Sequence, residues 1–148
     1  MKRRILGFVA AGILIAAGPS SSNATKRDLE KMQGDWAAVS MVVDGVTLSD
    51  DEAQSIFRTV KGNRYTLYLF SKALIKGTFK IDASKKPKTM DVVAADGPEK
   101  GKTVPGIYEL DGDRLKVCFA PAGQKRPKDF TAKEGSGHTL TVWEREKK

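Results

Sequence analysis

The residues of this chain that could do covalent chemistry are few: one histidine, His138, one cysteine, Cys118, and carboxylates of which Asp82, Asp91, Asp96, Asp111 and Asp113 fall at strand ends or in turns. A Ser–His–Asp or Cys–His arrangement would have to recruit His138 from the turn Gly135-Ser136-Gly137 before the last strand, where the plain reading is an exposed loop histidine. One His and one Cys cannot supply the nitrogen and sulfur ligands of a zinc site, and the acidic turn around Gly112 lacks the ligand spacing of an EF-hand. No glycine motif of the P-loop or dinucleotide type is present. No cofactor, metal or catalytic residue is therefore expected. What remains is acid–base work by paired carboxylates, which needs two of them held together at unequal pKa. Asp111 and Asp113 are better explained by turn chemistry, in which short acidic side chains bond nearby amides. A small hydrolase or isomerase using loop carboxylates is the enzymatic alternative.

Binding candidates are better supplied. Arg126-Pro127-Lys128-Asp129-Phe130 is a proline-stiffened basic segment ending in an aromatic anchor. Arg126 would either offer a carboxylate or phosphate a forked pair of hydrogen bonds at a binding mouth, or pair with an internal acid and pin its loop. Tyr65, Tyr68 and Tyr108 join it as residues expected to line a ligand site, since ligand pockets combine apolar walls with a few orienting polar groups. Cys118 stands alone, so no intramolecular disulfide can form, and its place between Val117 and Phe119 predicts a small buried hydrophobe.

The elements that must carry these residues read as strands. In Gly106–Phe119 two alternating apolar runs meet at an acidic, glycine-containing turn, the pattern of an antiparallel hairpin. Ile75, Gly77, Phe79 and Ile81 alternate with Lys76, Thr78 and Lys80, giving one dry and one wet face. Similar runs at Trp36–Val43, Ile56–Val60, Tyr65–Phe70, Thr89–Val93 and Thr139–Arg145 are separated by Asp44-Gly45, Gly62-Asn63, a Lys-rich turn and two loops. Thr25–Gln33 suits a helical lead-in, and Ser49-Asp50-Asp51-Glu52 fits a capping box that starts a short helix near residues 50–57. The expected fold is all-β: a small antiparallel meander of about eight strands with a short helix after the first. Closing it into a barrel removes both exposed edges. Gly77 would then mark a point where a side chain crowds the curved sheet.

Lys2, Arg3 and Arg4 precede an uncharged run from Ile5 to Ala17, followed by Pro19 and Ser22-Asn23-Ala24, the layout of a secretory signal peptide cleaved after Ala24. The run is shorter than the about 20 apolar residues that span a bilayer. The expectation is an exported protein, periplasmic or extracellular, with a signal peptide over 1–24, a single domain over 25–148 and no membrane span after cleavage. The 148-residue chain carries +8, and losing a segment with three of its 26 basic residues and no acid leaves +5. The basic residues are scattered among acids, which argues against nucleic acid as a partner. An anionic envelope polymer is a partner that mild basicity would suit.

Gly34-Asp35-Trp36 at the entrance to the first strand resembles the Gly-x-Trp signature of lipocalin-type barrels, and Arg145 matches the arginine that lies across that tryptophan. A guanidinium on an indole gains cation–π attraction and seals one end. Further similarity covers nearly the whole mature chain. Gly77-Thr78-Phe79-Lys80-Ile81-Asp82, Pro87-Lys88-Thr89-Met90-Asp91, Gly106-Ile107-Tyr108-Glu109-Leu110-Asp111-Gly112-Asp113, Leu115-Lys116-Val117-Cys118 and Arg126-Pro127-Lys128-Asp129-Phe130 resemble an uncharacterised exported domain family expanded in planctomycete bacteria. The resemblance implies a lipocalin-like fold and leaves the role open. The resulting functional expectation is a non-catalytic binding module that takes a small apolar or anionic ligand, or an envelope or protein partner, at the barrel mouth.

Overall fold

A computed structural model of the chain describes residues 23–147. Residues 1–22 of the expected signal segment lie outside them, and the expected cleavage point after Ala24 falls in the first described turn of helix α1, residues 23–31. Nine strands follow: β1 (Gly34–Val43), β2 (Val46–Thr47), β3 (Ile56–Lys61), β4 (Arg64–Leu69), β5 (Lys72–Asp82), β6 (Lys88–Ala94), β7 (Thr103–Asp111), β8 (Arg114–Phe119) and β9 (Thr139–Arg145). A short helix α2 (Asp50–Gln54) sits between β2 and β3.

Eight of the strands form an antiparallel meander in the order β1-β3-β4-β5-β6-β7-β8-β9, and β9 pairs back onto β1 to close the barrel. Closure runs from Trp36↔Arg145 to Val43↔Thr139, with a register shift between Ala38 and Ser40. Such an irregularity adds local twist where the sheet must curl. β2 is the extra strand. It forms because Asp44 (φ 48°) and Gly45 (φ 84°) make a tight two-residue turn that folds Val46 back onto Val43, the left-handed pair that primed hairpin turns demand.

Ser49 caps α2 as a capping box, its Oγ accepting from the Glu52 N–H while the Glu52 carboxylate accepts from the Ser49 N–H. The helix stops at Gln54, three residues short of the expected span, because Ile56 and Phe57 are taken by β3, pairing with Leu69 and Tyr68.

The interior is a continuous apolar cluster including Met32, Trp36, Ala38, Val60, Tyr65, Phe79, Ile81, Met90, Tyr108, Leu115, Val117 and Trp143. Burying each large side chain contributes roughly 1.5–3 kcal/mol. One end of the barrel is closed by α1. Trp36 Nε1 donates to the Met32 carbonyl (2.9 Å), and the Arg145 guanidinium lies 4.4 Å over the Trp36 ring. Arg145 also donates to the carbonyls of Gln33 and Lys31 and to Asp113 Oδ1, so it caps the helix end and ties it to the β7–β8 turn. Gln33 clamps the β3–β4 turn by exchanging hydrogen bonds with the Gly62 backbone.

Gly77 and Gly106 mark close approaches inside the barrel. A Cβ on Gly77 would lie 2.3 Å from the Val93 carbonyl oxygen and 2.7 Å from the Tyr65 hydroxyl; one on Gly106 would lie 2.4 Å from the Phe119 ring. Each glycine stands opposite the aromatic residue that fills its space.

Candidate functional site

The opposite end of the barrel opens into a cavity of about 340 Å³. Its walls come from the halves of the strands remote from α1: Met41 of β1, Ile56 of β3, Leu67 of β4, Ile75 of β5, Val92 of β6 and Phe119 of β8. Five of these face inward because they share their strand's parity with a residue of the core, and Met41 does so because the register shift between Ala38 and Ser40 flips the parity of β1 beyond Trp36 and Ala38. Deeper in the cavity lie Arg58, Tyr65, Thr141 and Trp143.

Arg58 is the residue that sets this site apart. It stands on β3 between Trp36 of β1 and Leu67 of β4, and is 4 % exposed. Its guanidinium carbon lies 5.4 Å from the Tyr65 ring centre and 5.5 Å from that of Phe79. Among the described residues no carboxylate pairs with it, and Nε is buried without a hydrogen-bond acceptor. Burial pulls its pKa down to about 10, so it remains a cation at neutral pH. Two aromatic faces return about 2 kcal/mol to a desolvated cation, whereas taking it out of water costs several. A net electrostatic demand for an anion is left inside the barrel.

Trp143 carries the same demand in neutral form. Its indole Nε1–H is the other buried side-chain donor without a partner among the described residues. Buried polar groups without partners are uncommon in folded proteins. Both residues line the cavity, but the indole N–H itself is sealed within the packing, so the Arg58 guanidinium is the donor group the cavity can be argued to reach. Burial raises the Tyr65 phenol pKa, with the nearby Arg58 charge opposing the shift, so that hydroxyl also stays protonated.

The residues expected from sequence to line the site divide. Tyr65 does line the cavity. Tyr68 does not: it pairs across the sheet with Phe57, whose parity is opposite to that of inward-facing Ile56 and Arg58, which places it on the outer face. Tyr108 is buried at the closed end, where its hydroxyl donates to Asp28 Oδ2 (2.7 Å), which also takes the Lys88 ammonium at 2.8 Å. Burial and that carboxylate push its pKa strongly upward. Arg126 is absent from the mouth as well. Its Nη1 donates to Asp91 Oδ1 (2.7 Å) and to the Gly106 carbonyl (2.9 Å), so it pins residues 120–138 against the outside of the barrel. Under that loop Cys118 is fully buried and its Sγ donates to the Thr131 carbonyl, and burial raises its pKa.

The carboxylates are occupied one by one. Asp82 accepts from Ser84, Asp91 from Arg126, Asp96 from the Lys76 N–H and Asp113 from Arg145, while Asp111 is exposed. His138 uses its backbone carbonyl to accept from the Asp44 N–H. Among the described residues no group of three His, Cys, Asp or Glu side chains is placed to hold a metal ion.

No family model matches the chain, and no curated protein matches it. The functional reading therefore rests on the geometry of the barrel.

Arg58 was not singled out from sequence. Its signal was the parity of β3: Ile56 and Val60 flank it at steps of two, so burying those aliphatics carries the arginine inward with them.

Proposed function

We propose that this chain is an exported, non-catalytic binding module that holds a small, partly apolar molecule inside its barrel, within the planctomycete-expanded lipocalin-like family it resembles. The observation that carries this reading is the open apolar cavity with the Arg58 cation on its inner wall and no carboxylate paired with it among the described residues. Its volume falls in the lower part of the range for small-molecule pockets, and its makeup, apolar walls with a few orienting polar groups, is that of a ligand site. The basic, apolar and small-residue layout of residues 1–24 supports export. The test is native mass spectrometry of the protein purified from its own host, with an apolar fluorescent probe titrated into the delipidated sample. A copurified small molecule, or saturable probe binding that Ile75→Trp blocks by filling the cavity, is expected. A protein that arrives empty and refuses the probe would sink the proposal.

One observation favours a partner at the mouth as a second reading. Phe70 and Leu74, at the β4–β5 turn, are 71 % and 59 % exposed, and Val46 at the β1–β2 turn is 66 % exposed. These tips stand at the open end. Substituting Phe70 and Leu74 by serine would abolish capture of a partner while leaving probe binding in the cavity intact.

A further inference from the structure

We infer that the molecule held in the barrel is a singly charged organic anion, a carboxylate with an apolar body, whose oxygens meet the Arg58 guanidinium while its body points to the mouth. This rests on the reading of the cavity as a ligand site and goes beyond it by assigning the chemical class. Three observations converge on it. The interior cation has no carboxylate partner among the described residues, and it lines the cavity with its guanidinium held only by the faces of Tyr65 and Phe79 and its Nε without an acceptor. The wall from this group to the mouth is built of Met41, Ile56, Leu67, Ile75, Val92 and Phe119, which suits a hydrocarbon body and offers little to a second polar group.

The charge count selects a monoanion. Among the described residues Arg58 is the one cationic side chain lining the cavity, so a carboxylate neutralises it, whereas a dianionic phosphate would keep one charge buried and unpaired. Orientation follows from depth. Arg58 pairs with Trp36, which sits under α1 at the closed end, so the charged head goes in first and the apolar body fills the outer half. The acidic residue on the lining, Glu99, is exposed and paired with Lys102, away from the deep cation. A guanidinium is a donor only and takes a carboxylate through two parallel hydrogen bonds, so the group it asks for is an anionic acceptor of that planar shape.

The experiment is calorimetric titration of the delipidated protein with three probes of one chain length: decanoate, decan-1-ol and decylammonium. Decanoate is expected to bind roughly ten- to a hundredfold more tightly than decan-1-ol, since a hydrogen bond to a charged group is worth that ratio, and decylammonium more weakly than either. In Arg58→Met the preference for decanoate over decan-1-ol disappears while decan-1-ol still binds; in Arg58→Lys, which keeps charge without the fork, part of it remains. Because the wild-type ranking is itself decisive, the outcome does not depend on any variant folding. Equal or tighter binding of decan-1-ol overturns the anion assignment and leaves the cavity as a ligand site. Failure of all three probes to bind overturns both.

Discussion

At neutral pH the Arg58 guanidinium holds a charge in an apolar cavity between the rings of Tyr65 and Phe79, with no acid beside it among the described residues. Such a residue costs stability in the empty protein. Replacing buried charge by a well-packed apolar side chain commonly stabilises by 1–4 kcal/mol. Arg58→Met should therefore raise the unfolding free energy of the ligand-free protein by about 2 kcal/mol, read as a higher midpoint in urea; a lower midpoint would mean that the cation contributes to folding. Tyr108 provides the pH-sensitive counterpart. Burial and Asp28 raise its native pKa above the unfolded value, so its contribution is fully present below pH 10 and is lost as pH rises through the folded pKa. Arg58 acts in the opposite sense between its native value of about 10 and the ordinary 12.5, where the unfolded state holds the proton. Comparing wild type with Tyr108→Phe removes the Arg58 effect, which both share. Above pH 10 the stability gap between them should narrow, and a constant gap from pH 7 to pH 11 would show that the phenol does not report on folding.

The strand elements were legible because their alternation is strong. Ile75, Gly77, Phe79 and Ile81 face in while Lys76, Thr78 and Lys80 face out, and the turns at Asp44-Gly45, Gly62-Asn63 and Gly112-Asp113 fall where turn residues interrupt the runs. What was not legible is long-range or parity-dependent. Tyr108 faces inward as a strand residue should, yet only the docking of α1 brings Asp28 to it, eighty residues away. Tyr65–Phe70 carries large apolar side chains at both parities, so its sequence does not fix which face Tyr68 takes, and pairing with Phe57 places it outside. Arg126 chose Asp91 over the mouth because Pro121–Pro127 runs down the outer face of β7 and β6, a path that turn chemistry does not encode. At Gly77 the element prediction is sharp. A Cβ there meets the Val93 carbonyl, backbone that cannot swing away, so Gly77→Ala should destabilise by about 1–3 kcal/mol. A neutral effect in chemical denaturation would show that β5 and β6 can separate without loss. Arg126→Ala should release the loop instead, with faster proteolytic nicking between residues 121 and 131 and about 1–2 kcal/mol of lost stability, because one charge-assisted pair and one buried carbonyl contact go together.

Taken as a whole, the barrel is polarised. At one end Arg145, Gln33 and Asp28 bind α1 to the strands through side-chain hydrogen bonds, and Trp36, Met32 and Tyr108 fill the space beneath it. At the other end the wall is apolar, partly empty, and bordered by exposed Phe70 and Leu74. Local stability should follow the same axis, because opening free energy scales with buried contacts and with backbone hydrogen bonds shielded from water. Amides of Trp36, Ala38 and Leu115 should exchange hydrogen only by global unfolding, whereas those of Phe70–Ala73 and Asp96–Lys102 should exchange through local opening, orders of magnitude faster. Filling the cavity with decanoate should slow exchange most at Met41, Leu67 and Ile75, since a bound ligand disfavours the local openings that would release it, while the closed end continues to exchange only by global unfolding. Uniform protection along every strand, unchanged by the probe, would contradict a rigid base carrying an adaptable cup.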